Sequence, residues 1–227
     1  MKTINLSVTS LALTLSAALI FPTTTWAQTA DDFAAQLANL QQDWAVANYQ
    51  LQDDAQEDEF EQLAERAKQL VTAYPENAAA YIWQGIVLST EAGVVGGLGA
   101  LDLAEAAKAS LEHAMTIDDQ ALEGSAYTSL GTLYYKVPGW PFGFGDDDKA
   151  EQLLKQALTI NPTGIDANYF YADFLYEDGE YQKAAKYLTA AAAAAPRPGR
   201  ELADSERQKE IQALQEKVNK RINKRRR

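Results

Sequence analysis

Pro162 and Pro196 stand 34 residues apart, and the side chains ahead of each fall in one order. Before Pro162 come Tyr127, Leu130, Gly131 and Tyr134, then Ala150, Leu154 and Ala157. Before Pro196 come Ile165, Ala172 and Leu175, a Gly179-Glu180-Tyr181 turn, then Ala184, Leu188 and Ala191. A fainter copy starts at Pro75, runs through Tyr81, Gly85, Ala107, Leu111 and Ala114, and stops at Asp119. Small residues facing small residues let two helices approach closely, the large ones fill the space between them, and each proline ends the second helix. One such hairpin cannot bury its apolar face alone, so the period predicts a stack.

The order of residues resembles the tetratricopeptide repeat, with Tyr127 in the place of the usual tryptophan. The expected fold is all-α, a tetratricopeptide-like helical-hairpin solenoid of about four helix pairs plus a C-terminal capping helix. Residues 78–196 hold the repeats. Residues 28–77 read as an atypical first hairpin: Phe33, Leu37, Leu40, Trp44, Ala47 and Leu51 make one stripe, and Phe60, Leu63, Ala67, Leu70 and Tyr74 another. Residues 197–227 read as the capping helix, with Ile211, Leu214, Val218 and Ile222 against the last repeat and a basic tail beyond.

Charge divides along the same line. Residues 28–196 carry 8 Lys/Arg against 27 Asp/Glu, and residues 197–227 carry 11 against 5. An acidic body argues against nucleic acid or an anionic membrane as the main partner. The run "KRINKRRR" reads as a solvated helix end favoured by the helix dipole. The first residues, with Lys2, an apolar run to Phe21 and small residues at Thr25 and Ala27, are expected to be a signal peptide (1–27) cleaved before Gln28, placing the mature chain in the periplasm. There is no cysteine, so neither a disulfide nor a lipidated N-terminal cysteine is available. No later segment is apolar over the roughly 20 residues a membrane helix needs.

Two hairpins are longer than the repeat requires. Residues 90–103 are glycine-rich but lack a Gly-Lys-Ser/Thr and follow no strand, so they read as a flexible apolar loop packing Val94, Val95 and Leu98 rather than a phosphate cradle. Residues 136–148 hold Trp140, Phe142 and Phe144 among Pro138, Pro141, Gly139, Gly143 and Gly145. This loop either folds back to plug its own solenoid or forms the wall of a pocket or a contact surface. Asp146, Asp147 and Asp148 lack the alternating ligands of a calcium loop and read as the N-cap and acidic first turn of the next helix. Both insertions separate the two helices of a repeat, so both are expected at one edge of the array.

Little points to catalysis. His113 is the only histidine, and with no cysteine the chain offers no nucleophile–base set and no metal site, so no cofactor is expected and the chain reads as a non-enzyme. The tetratricopeptide register instead offers Ile82, Ile86, Thr128, Thr132, Tyr135, Tyr169, Asp173 and Tyr176 to the concave groove, an aromatic and apolar lining.

Further segments sharpen the resemblance. "YYKVPGWPFGFGDDDKAEQLLKQAL", "NPTGIDANYFYADFLYEDGEY" and "APRPGRELAD", behind a signal peptide, resemble the T component associated with TRAP-type transporters, over roughly residues 60–215. That resemblance implies a periplasmic helical-repeat protein cooperating with a solute-binding protein that feeds a membrane permease. It implies an apolar or organic-acid ligand and a homo-oligomer. Relatives with a lipid anchor carry a cysteine that this chain lacks. A general scaffold for envelope protein complexes is the other reading that the groove and the loop allow.

Overall fold

The computed structural model describes residues 24–225, and these form nine helices with no strand among them. The leader expected over 1–27 lies almost wholly outside the described residues. The helices pair in chain order: α1 (Thr24–Gln50) with α2 (Asp53–Ala73), α3 (Ala78–Val95) with α4 (Gly97–Ile117), α5 (Ala121–Lys136) with α6 (Asp147–Ile160), and α7 (Ile165–Glu177) with α8 (Tyr181–Ala192). The last helix, α9 (Glu201–Arg225), packs on α8. First helices also touch their successors, α1 on α3, α3 on α5 and α5 on α7, which builds an all-α solenoid with one concave side.

The small residues of the repeat act where two helices meet. A Cβ placed on Gly131 would stand 2.8 Å from Leu154 Cγ and 3.3 Å from the Ala150 carbonyl oxygen. One repeat earlier, a Cβ on Gly85 would stand 2.5 Å from Leu111 Cγ and 3.2 Å from the Ala107 carbonyl oxygen. The same contact thus recurs at equivalent positions, and its partners Leu111, Leu154, Ala107 and Ala150 are wholly buried.

Two apolar clusters form the core. One joins Leu37, Leu40 and Trp44 of α1 to Phe60, Leu63 and Leu70 of α2 and to Trp83 and Val87 of α3. The other runs from Ile82 through Leu111, Leu130, Leu154 and Leu188 to Ile211, Leu214 and Val218 of α9. Helix α3 contributes to both, because Ile82 and Trp83, turned about 100° from one another around the helix, enter different clusters.

The glycine-rich stretch 90–103 is not the flexible loop its composition suggests. It lengthens α3 to 18 residues and α4 to 21, leaving Gly96 between them at φ 61°, ψ −170°. Isolated glycines cost a helix about 1 kcal/mol each, yet α3 runs through Gly93 and α4 through Gly97 and Gly99. Within this stretch Gly96 and Gly97, both at φ 61°, use the left-handed region.

This extension buries Glu91, 9% exposed, with its Oε2 lacking a hydrogen-bond partner. Burial, and then the Glu61 carboxylate, hold its carboxyl above the ordinary range. A raised carboxyl contributes stability below its ordinary pKa and loses it as pH rises through the folded value. Glu91→Gln is therefore expected to stabilise the protein at pH 7 by about 1 kcal/mol, raising the melting temperature by about 2–4 °C. Thermal melts at pH 7 and pH 4 check it, since the advantage should vanish at pH 4.

Candidate functional site

Residues 137–146 leave α5 and return to α6 through a closely tied loop. The Phe142 amide donates to the Gly139 carbonyl at 3.1 Å, the Gly145 amide to Pro138 at 3.0 Å and the Asp146 amide to Tyr134 at 2.8 Å. Gly139 and Gly145 pair as an isolated parallel bridge, and the Trp140–Pro141 peptide is cis. A Cβ on Gly143 would stand 2.6 Å from the Pro138 carbonyl oxygen, and one on Gly145 would collide with that of Val137. Asp146 caps α6, its carboxylate accepting from the Lys149 amide at 3.0 Å. Gly145→Ala is accordingly expected to unseat the loop while leaving the helix content in place, seen as faster proteolysis within 137–146 and unchanged far-ultraviolet circular dichroism.

The three aromatics of the loop part company. Phe144 turns inward, edge-on to Tyr134 at 5.5 Å with the Lys108 ammonium 5.8 Å from its ring centre. Trp140 is 90% exposed and Phe142 77%. The loop is thus anchored by Phe144 and presents the other two to solvent, so it does not plug the solenoid with all three. The α3–α4 hairpin reaches the same edge: Leu101 Cδ1 lies 3.4 Å from the Gly143 Cβ position, and Val95 is exposed.

The groove positions divide as well. Ile82 and Thr128 face the core rather than a groove, Ile82 with no exposed surface at all. Ile86, Thr132, Tyr135, Tyr169, Asp173 and Tyr176 are half-buried. The Tyr135 hydroxyl donates to Asp173 Oδ2 at 2.9 Å, and Lys136 Nζ meets the same oxygen at 2.8 Å. Burial first, then the Asp173 charge, keeps the Tyr135 phenol protonated far above its ordinary range, so it remains a donor. Thr132 returns its hydroxyl to the Thr128 carbonyl at 2.8 Å, and Tyr176 leans on Tyr181 with ring centres 5.5 Å apart.

Tyr169 does not face an open groove. The Arg207 guanidinium of α9 lies 4.5 Å from its ring centre and 4.6 Å from that of Phe170. Arg207 Nε donates to Asp166 Oδ1 at 2.9 Å, and Arg197 Nη1 takes the other Asp166 oxygen at 2.6 Å. Arg197 also grips Asp204, through Nε at 2.8 Å and Nη2 at 2.6 Å. Burial raises the Asp166 carboxyl, but Arg207 and Arg197 outweigh it and hold the group below its ordinary range. Arg200 covers Trp83 at 4.9 Å, and Ala203 is buried in the cluster of Leu37, Trp44 and Trp83. The capping helix therefore does more than cover the last repeat: its first half spans the concave side from α7 to α1, and Arg200 just before it reaches α3. Sequence reasoning missed this set. Its signal was the spacing of Arg200, Ala203, Arg207 and Glu210, a 3-4-3 stripe beside the apolar one.

No group of three or more His, Cys, Asp or Glu side chains able to hold a metal occurs among the described residues. His113 packs edge-on against Tyr81, ring centres 4.4 Å apart. No helix among the described residues is long and apolar enough to cross a membrane.

Fold and site together define a helical-repeat protein of tetratricopeptide architecture with an aromatic loop at one edge and a filled concave side. Comparison with known proteins agrees on the architecture: residues 142–217 match the tetratricopeptide repeat family. Among solved structures, the chain resembles TTC0263, a thermophilic TPR protein in Thermus thermophilus, at a TM-score of 0.53 and 18% identity, over 80% of this chain and 99% of that one. It is more loosely similar to MamA, with a TM-score of 0.44 and 19% identity over 74% of this chain and 91% of that one. Looser still is PilF of Pseudomonas aeruginosa, at 0.35 and 18% over 85% and 92%. At these identities the likeness is one of fold alone. No curated protein matches the chain.

Proposed function

We propose that this protein is a non-catalytic periplasmic binding component that docks a partner protein through the loop between α5 and α6. The observation that carries the reading is the exposure of Trp140 and Phe142, 90% and 77%, on a backbone held by main-chain hydrogen bonds along its length. Large aromatics held outside the core on a rigid loop lose little conformational entropy on binding, and such residues dominate interface energetics. Asp146, Asp147 and Asp148 lie exposed at the foot of the loop, so the matching surface is an apolar pocket rimmed by Lys or Arg. With the concave side filled by α9, a protein suits the exposed edge better than a small ligand suits the groove.

On the resemblance to the T component of TRAP-type transporters, the partner we propose is a periplasmic solute-binding protein, with this chain as an accessory of solute uptake after cleavage before Gln28. A photo-crosslinking residue at Phe142, used in the intact host cell, tests this. Cross-linking to a solute-binding protein supports it. Cross-linking to envelope assembly proteins points instead to a general scaffold, and no product at position 142 removes the loop from the interface. Trp140→Ala with Phe142→Ala is expected to leave stability within about 0.5 kcal/mol while abolishing partner capture, checked by thermal melts beside a pull-down.

A further inference from the structure

Helix α9, with Arg200 just before it, carries two stripes. Ile211, Leu214 and Val218 are buried against the last repeat and fasten the second half of the helix. Arg200, Ala203 and Arg207 face the concave side: Arg200 lies over Trp83 of α3, Ala203 joins the apolar cluster of α1 and α3, Arg207 lies over Tyr169 and Phe170 of α7, and Glu210 pairs with Arg207. The two halves are held by different chemistry. The second rests on apolar packing. The first rests on guanidinium–ring contacts and ion pairs, with one small buried side chain, Ala203, and the partly buried Leu202 as its apolar contacts.

Three features make the first half separable. Residues 193–200 link α8 to α9 through Pro196, Pro198 and Gly199, the last at φ 73°. The closed state is incompletely satisfied, because Arg200 Nε is buried with no hydrogen-bond partner, and such a group costs free energy that release recovers. The surface left behind would be Trp83, Tyr169 and Phe170 with Asp166, rings and a carboxylate arranged as guanidinium partners.

We propose that residues 197–210 are a releasable strap over a concave docking surface, and that the surface, once uncovered, takes an arginine-bearing helical segment of a partner protein. The strap itself is the template for that occupant. It places arginines seven residues apart, on Trp83 and on Tyr169, and an acidic body favours a cationic visitor. This surface is distinct from the loop between α5 and α6 and does not depend on it.

The absence of native cysteine gives a clean test. Ala203→Cys reports opening of the strap by its rate of thiol labelling, and Ala157→Cys, in α6 away from α9, reports unfolding of the array. Adding Arg197→Ala and Arg207→Ala is expected to speed labelling at 203 by about tenfold or more while changing that at 157 by less than about twofold, as a local opening does. Arg207→Lys, which keeps the charge but not the planar fork, should fall between. Equal acceleration at both cysteines would show the strap to be inseparable from the core, and no acceleration at 203 would show that the arginines do not hold it. Either result overturns the proposal. A labelled peptide of residues 197–212, followed by fluorescence anisotropy, is expected to bind the double-alanine protein at least about tenfold tighter than the parent. Equal binding to both would overturn the docking surface.

Discussion

Ile82→Ala is expected to destabilise the protein by about 3 kcal/mol, within the range for large-to-small changes in a core. Ile82 has no exposed surface and belongs to the larger cluster, which also holds Leu111 and Leu130. Truncation removes three buried methyl and methylene groups and leaves a hole whose walls belong to successive helices and cannot all close in. Chemical denaturation with a global fit checks it: the midpoint should fall with the slope unchanged. A cost under about 0.5 kcal/mol would return Ile82 to the groove, where the tetratricopeptide register had placed it. The contrast with Trp140→Ala matters, because both residues were candidates for binding. One now belongs to stability and the other to contact.

Gly131→Val should cost as much or more, about 3 kcal/mol. Its Cβ would stand 2.8 Å from Leu154 Cγ, and the valine methyls would push further toward the Ala150 carbonyl oxygen. Leu154 is fully buried and Ala150 is backbone-fixed within α6, so α5 and α6 would have to move apart. Gly85→Val meets Leu111 and Ala107 in the same way and should behave alike. The two substitutions lie in different repeats, and their thermal melts should be similar if the repeat contact is the cause.

The architecture follows from local spacing. Ala150, Leu154, Ala157 and Pro162 recur 34 residues later as Ala184, Leu188, Ala191 and Pro196, and an interval along the chain needs no knowledge of distant contacts. The N-cap at Asp146 was readable for the same reason, since the bond to the Lys149 amide spans three residues. The stretch 90–103 was misread because glycine content outweighed helical periodicity. In the structure, the close pairing of α3 with α4 reverses that balance.

What the sequence by itself determined is the repeat: its period, its all-α character, its small-to-large contacts and the separation of an acidic body from a basic end, all set by residues within a few turns of one another. Only the tertiary structure decided which side chains are available. Ile82 went to the core because α3 is packed on both flanks. Trp140 and Phe142 were left in solvent because the main-chain bonds of their loop turn only Phe144 inward. Tyr169 lies beneath Arg207, 38 residues away, because a helix that caps one end of the array also crosses its hollow side. Availability depends on what lies opposite in space, and periodicity along a chain does not carry that information.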